Sequence, residues 1–386
     1  MADRVLFTLV VSLIAIGIVL VYSLAGFATL LNNTNEFHFA IRQLLFGFIG
    51  IFIMWTLAQF DPKKALDFIG LGLFVFSAIL MVSMPFMPES LVTSIGGAKR
   101  WIKLGGLSLA PVEFFKVGFV YFLAWSFSRK LGYHDGIGLK HEFMRFFPYA
   151  VVFVIAMLVI AFIQNDLGQV VVLGLTLAFM LIFAGSSARF FFSIMGLTTL
   201  FFIFFIVSAE HRIARVKSWW ATTQNLVLAA FPDEMAQKLR VPVEVEPYQI
   251  GHSLNAIHNG GIFGVGLGNG SFKLGFLSDI HTDFILAGLA EEFGFVGVLS
   301  VVILFLWMVL RIFRVANRVD DAKIYLFSLG VGLMLSFTFL TNAYGISGIT
   351  PIKGISVPFL SYGGSAILAS CVAIGMVLMA SKLVKR

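Results

Sequence analysis

The sequence predicts an all-α, polytopic membrane protein, and two observations carry that prediction. The 386-residue chain is 59% hydrophobic and only 12% charged, whereas a soluble domain carries about 25% charged residues. Its apolar residues also come in runs of roughly 20, the length that crosses a bilayer as a helix. Lipid cannot satisfy free backbone groups, so each span should be helical. The runs are continuous and do not alternate, which argues against a transmembrane barrel.

Ten spans are expected, at about 5–29, 40–59, 65–86, 111–129, 146–164, 167–185, 189–208, 284–311, 323–344 and 359–381. The first follows a single Arg and exceeds the core of a signal peptide, so it reads as a retained span. Lys63-Lys64 separates the second from the third. The fourth opens at Ala110-Pro111-Val112-Glu113, with Pro at the favoured first helical position. The tight turn Gln164-Asn165-Asp166-Leu167-Gly168 divides the fifth from the sixth, and Arg189 starts the seventh. Thr282 reads as the N-cap of the eighth, which would place Asp283 in its first turn. The ninth begins at Lys323. The tenth follows an outer, re-entrant-like loop, Gly348 to Ser365, whose small residues permit close helix approach. The chain reads as one domain, 1–386, with a large outer loop at about 210–282.

Basic residues orient the bundle. Lys63-Lys64, Arg129, Lys130, Lys140, Arg145, Arg189, Arg311, Arg314, Arg318, Lys323, Lys382, Lys385 and Arg386 fall on one side, which is therefore cytoplasmic and holds both termini. Two outer segments are basic as well. One carries Lys99, Arg100 and Lys103; the other carries Arg212, Arg215, Lys217, Lys238, Arg240 and Lys273. Long loops obey the charge rule weakly, so these leave the topology intact and mark the outer face for an anionic ligand or for lipid headgroups. The net charge of +7 thus points to membrane and topology, with no nucleic acid. Cys371 is the single cysteine, so no intrachain disulfide forms.

Carboxylates in such a chain are expensive and usually functional. Asp283, in His281-Thr282-Asp283-Phe284-Ile285, stands at the mouth of the eighth span. It either complements the helix dipole or acts as a base or metal ligand. Glu291 and Glu292 lie two turns deeper, and a structural ion pair is at least as strong a reading as catalysis. Glu113 and Lys116, three apart, share a helix face, either as an ion pair or with Lys116 reaching a phosphate. Asp166 either caps the sixth span or faces the outer cavity as a second acid. In the outer loop, Ile250, Leu254 and Ile257 mark an amphipathic helix. The following Gly260–Ser271 run suits tight turns and close packing, or a backbone nest for pyrophosphate. Ser361, Ser365 and Lys353 give the last outer loop a polar surface.

Together these residues resemble the SEDS family (shape, elongation, division and sporulation proteins) over nearly the whole chain. The resemblance rests on Gly97–Gly105 with Pro111–Lys116, on Asp166-Leu167-Gly168, and on Gly260–Ser271 with Lys273. It rests also on His281–Ile285 with Glu291-Glu292, and on Pro358-Phe359-Leu360-Ser361-Tyr362-Gly363-Gly364-Ser365. Pro351-Ile352-Lys353-Gly354 resembles the cell-division branch more than the elongation branch. The chain departs from the family at Leu277-Ser278-Asp279, where Leu-Pro-Glu is usual, and at Ala110-Pro111-Val112-Glu113, where Gln-Pro-Ser-Glu is usual.

Membership implies a peptidoglycan glycosyltransferase of the bacterial cytoplasmic membrane that polymerises lipid II on the outer face during division and releases undecaprenyl pyrophosphate. It implies a class B penicillin-binding transpeptidase and other division proteins as partners. Asp283 matches the required acid, as base or as ligand of Mg²⁺ or Mn²⁺. Lys116, Arg100, Lys273 and Arg215 become candidates for the pyrophosphate, with Glu113, Asp166, Ser361 and Ser365 also facing substrate. The competing readings are a lipid II flippase and a scaffold that only recruits the transpeptidase.

Overall fold

A computed structural model describes residues 2–95, 98–105, 107–130, 138–208, 210–228, 231–240 and 248–384. The chain runs through helices α1 (Arg4–Leu24), the short α2 (Gly26–Leu31), α3 (His38–Gln59) and α4 (Pro62–Ser83). A small sheet follows, of β1 (Val92–Ile95), β2 (Ala98–Leu104) and β3 (Leu107–Leu109). Next come α5 (Pro111–Lys130), α6 (Leu139–Leu158, continued by a π turn over Val159–Ile163), α7 (Leu167–Phe183) and α8 (Ala188–Val207). The long connection from α8 contains α9 (Glu210–Leu228), α10 (Asp233–Leu239) and α11 (Tyr248–Gly260). The chain closes with α12 (Ile285–Ala316), α13 (Ala322–Ile346) and α14 (Gly364–Ala380). The architecture is all-α apart from the three strands.

Each expected span coincides with a helix. Among the described residues, eight helices are long and apolar enough to cross a membrane, and α7 is apolar but shorter. The remaining one, α5, carries Glu113, Lys116, Arg129 and Lys130. It carries Glu113 and Lys116 among the buried Phe115, Phe119, Val120, Tyr121, Leu123 and Phe127, whereas Arg129 is exposed at its far end. Charges inside a bundle face protein or water, not hydrocarbon. α13 and α14 are likewise mostly buried, whereas α4 and α8 leave most of their apolar surface outside, as helices at a lipid boundary do.

Polar contacts sort the two ends. At one end Arg311 pairs with Asp3 (2.6 Å) and Lys323 with Asp67 (2.5 Å). There the Asp3 amide donates to Ser381 Oγ, and Lys382 donates to the Gln59 and Phe60 carbonyls. The beginning and end of the described chain thus meet the 59–67 and 311–323 turns. Lys385 and Arg386 lie outside the described residues. Asp283, two residues before α12, is at the opposite end.

Three local features differ from the sequence reading. The first span does not run to 29, because the helix breaks at Ala25 and restarts as α2. Val92–Ile95, Ala98–Leu104 and Leu107–Leu109 form an antiparallel sheet in the order β1-β2-β3. Helix α12 is interrupted at Gly294 (φ 66°), and the glycine-rich run fills the break. The Phe295 and Val296 amides donate to the Gly261 and Ile262 carbonyls, while Val265 and Gly266 donate to the Glu291 and Glu292 carbonyls. A Cβ at Gly264 or Gly294 would lie 2.2 or 2.4 Å from backbone atoms, so only glycine allows the two segments to meet.

Candidate active site

The approach to α12 is built from consecutive backbone carbonyls. The Tyr362 amide donates to His281 O, Ser361 Oγ to Thr282 O (2.6 Å), and Asn342 Nδ2 to Asp283 O (2.6 Å). The loop before α14 and a side chain of α13 therefore hold Asp283 in place. They also keep the segment non-helical. Thr282 is not the N-cap; Phe284 occupies that position without a side-chain bond, and Asp283 lies in the preceding turn with its amide on Asp279 O.

Asp283 sits on the wall between two cavities. One, of about 430 Å³, is lined by Arg42, Arg100, Glu113, Asp166, Ser365 and Asp283, among others. The second, of about 510 Å³, has Asp279, Trp219, Tyr248 and Gln249 beside Asp283. Gly354 lines both, and a Cβ added there would lie 2.8 Å from Asp283 Oδ2. Burial, and then the charges of Asp279 and Asp166, push the Asp283 carboxyl up to about 7 against the opposing pull of Arg100. Burial also pushes Asp166 above its usual range. His281, packed between Phe39 and Tyr362, is lowered by burial to about 4 and is neutral at pH 7.

Asp166 fills both roles that its position suggests. It caps α7 through the Gln169 amide and lines the first cavity. Arg100, on β2, donates to the Gln164 and Asn165 carbonyls (2.8 and 2.7 Å), which binds the sheet to the Asp166 turn. Glu113 accepts from Gln169 (3.0 Å) and pairs with Lys116 (2.9 Å). Lys116 is buried, lines a narrow cleft with Met334, Leu335 and Thr338 and is not among the residues lining the cavity beside Asp283, so it orients Glu113. Ser365 lines the cavity, but its hydroxyl donates to Ser108 O and accepts from the Ala110 amide.

Two expected substrate contacts are absent from this constellation. Ser361 is buried, accepts from the Val357 amide and donates to Thr282 O; it positions Asp283. Lys273 is buried against Glu292 (2.7 Å) and the Ser23 carbonyl and lines none of the cavities described here. The glycine-rich run does cradle an anion, but that anion is Glu291. Its carboxylate accepts from the Ser271 and Phe272 amides, Ser271 Oγ and Asn259 Nδ2. Glu292 forms the expected structural ion pair, with Lys273, whereas Glu291 is held by hydrogen bonds alone among the described residues. The side chain of Arg215 and the motif residue Gly97 lie outside the described residues.

Sequence reasoning missed Arg42, Gln169, Trp219 and Tyr248. Arg42 alone left a signal, as a charge inside the apolar run of α3.

Residues 3–386 match the model of the FtsW, RodA and SpoVE family, described as "Cell cycle protein". The chain belongs to this family. It is 48% identical over 384 residues to a Helicobacter pylori protein named "Probable peptidoglycan glycosyltransferase FtsW", covering 99% of each. A Haemophilus influenzae protein of the same name is 32% identical, with 97% of this chain and 89% of that one covered. Among solved structures the family fold recurs in a chain from "a peptidoglycan synthase complex", with a TM-score of 0.72, 22% identity, and coverage of 99% of this chain and 98% of that one. It recurs also in Thermus thermophilus RodA, with a TM-score of 0.63, 21% identity, and coverage of 99% and 97%.

Proposed function

We propose that this family member is a peptidoglycan glycosyltransferase that polymerises lipid II on the outer face of the bacterial cytoplasmic membrane during division. The observation that carries the reading is Asp283, a carboxyl lifted to about 7 between two cavities. A general base works best with a pKa near the operating pH. Asp283 takes the proton of an acceptor sugar hydroxyl as that oxygen bonds to the donor's anomeric carbon. The bond from that carbon to pyrophosphate breaks, and undecaprenyl pyrophosphate leaves with the electron pair. Arg100 and Arg42 line the cavity and supply positive charge for the departing group. The end of the bundle that bears Asp283 is then outer, and the end with Asp3, Arg311 and Lys382 cytoplasmic. A class B penicillin-binding transpeptidase and other division proteins are the partners, and the exposed apolar faces of α4 and α8 meet membrane lipid.

A second reading gives the site Mg²⁺ or Mn²⁺. Asp166 and Asp283 line one cavity and their charges repel, a conflict that a bound cation would relieve. Those two carboxylates would hold it, and it would supply positive charge for pyrophosphate oxygens. A chelator followed by Mn²⁺ add-back should then remove and restore activity.

The test is the purified protein with its transpeptidase partner, labelled lipid II, and a gel that resolves glycan strands. Polymer supports the reading. Lipid II crossing vesicles without polymer would favour a flippase, and neither activity would favour a scaffold. The acid limb of the rate should fall about tenfold per pH unit below 7, because only ionised Asp283 accepts a proton. Arg100→Ala should shift that limb upward, since Arg100 lowers the Asp283 pKa. Gly354→Ala places a methyl against Oδ2 and should slow polymerisation by about tenfold or more at nearly unchanged Tm, as expected when a reacting group is displaced by under an ångström.

A further inference from the structure

The loop that holds Asp283 is itself held from α3. Between α13 and α14 the chain passes from Ile355 to Tyr362. The Tyr362 amide and Ser361 Oγ donate to the His281 and Thr282 carbonyls, and Asn342 Nδ2 bridges the Asp283 and Ile355 carbonyls (2.6 and 2.7 Å). This loop carries a strained residue. Phe359 has φ 66° and is 1% exposed, and a bulky residue in that conformation is a backbone outlier. Such strain persists only where the surroundings over-determine it.

Two residues outside the loop supply that constraint. Gln43 of α3 is fully buried, and its Nε2 donates to the Leu360 and Ser361 carbonyls (3.3 and 3.1 Å). Gly17 of α1 lets its helix approach the same stretch: a Cβ there would lie 2.6 Å from Phe359 O and 2.8 Å from Leu360 Cα. Both contacts fall on the backbone that follows the strained φ. For packing alone the Gln43 amide is a costly choice. Its Oε1 is buried without a hydrogen-bond partner, and an unpaired buried acceptor costs about as much as two donated bonds return. Methionine would fill a similar space without that cost. What the amide adds is a fixed place for two consecutive carbonyls, one of them belonging to Ser361. The preceding residue, Arg42, lines the cavity, so one helix sets both a cavity charge and the loop that holds Asp283.

We propose that Gln43 is a positioning residue for Asp283, acting through the Leu360 and Ser361 carbonyls on the two bonds that fix the His281 and Thr282 backbone. It touches no substrate and moves no proton. The proposal deepens, and rests on, the glycosyltransferase reading.

The test combines glycan polymerisation with amide hydrogen exchange, both on the full chain with its transpeptidase partner in nanodiscs. Gln43→Met should lower kcat for labelled lipid II by about tenfold or more at unchanged KM, the scale of a reacting group displaced by under an ångström. Amides of residues 280–285 and 357–362 should exchange about tenfold faster, the local opening expected from one lost buried bond, while those within α12, α13 and α14 stay protected. In an Asp283→Asn background the same substitution should leave the residual rate within about twofold, because residues that act as a unit are non-additive. A merely structural role would cost the same factor in both backgrounds. Gly17→Ala displaces the same stretch of backbone and should give the same pattern, so it replaces the methionine variant if that one does not fold. Wild-type kcat in the folded variant, or an equal loss in the Asp283→Asn background, overturns the proposal. If the exchange pattern appears in a chain that polymerises nothing, the link from Gln43 to Asp283 stands and the glycosyltransferase reading falls. If wild type and variant polymerise equally, the link falls and that reading stands.

Discussion

Asp283→Asn should lower polymerisation by roughly 10²–10⁴, the contribution of a positioned general base, and should at the same time raise Tm. The two effects share one cause. Burial, Asp279 and Asp166 hold the folded-state carboxyl at about 7, above its ordinary 3.8. Between those values the native chain binds more protons than the unfolded one, so stability falls as pH rises through that window. Asparagine keeps the shape and removes the charge, and the strain then disappears at neutral pH. Thermal unfolding of wild type and variant at pH 5 and pH 8 checks this; the gain should be larger at pH 8. A variant that loses activity while losing stability equally at both pH values would identify Asp283 as a structural cap. A variant that polymerises at the wild-type rate would remove it from the chemistry.

That dual character explains what was legible beforehand. Hydropathy located the long helices, because burial in lipid demands long apolar runs. Asp283 was legible as an expensive carboxylate at a helix mouth. Its partners were not. The carbonyls of His281, Thr282 and Asp283 are held by Tyr362, Ser361 and Asn342, some 60 to 80 positions away by residue number, and no local pattern encodes such a pairing. The N-cap reading of Thr282 failed for that reason: tertiary bonds outcompeted the local cap. The strands at 92–109 are short and lie among glycines and lysines, so their pairing also depends on register rather than propensity. Lys273 and Arg212 show the same limit. Both are basic residues of the long connection between α8 and α12, and only the fold distinguishes the one neutralised by Glu292 from the one lining a cavity.

Lys273→Met should destabilise the protein by about 3–5 kcal/mol, the cost of stranding a buried charge. Its partner Glu292 has no exposed side-chain surface, and among the described residues the other hydrogen bond to that carboxylate comes from the Ser23 hydroxyl at 2.7 Å. The double variant Lys273→Met/Glu292→Gln removes both charges and retains a hydrogen-bonding group for Ser23, so most of the lost stability should return. Replacing a buried pair whole is often close to neutral. The double variant also separates the two roles that a basic loop residue can have. If Lys273 only ties the loop to α12 and α1, the double variant polymerises glycan nearly as the wild type does once its Tm recovers. If Lys273 instead grips pyrophosphate during turnover, the double variant recovers its Tm and stays inactive. Thermal unfolding and the strand gel on the same three preparations decide between them. The geometry favours recovery, because the Lys273 ammonium is already shared between Glu292 and the Ser23 carbonyl, and turning it toward a substrate would leave Glu292 buried without a counter-charge.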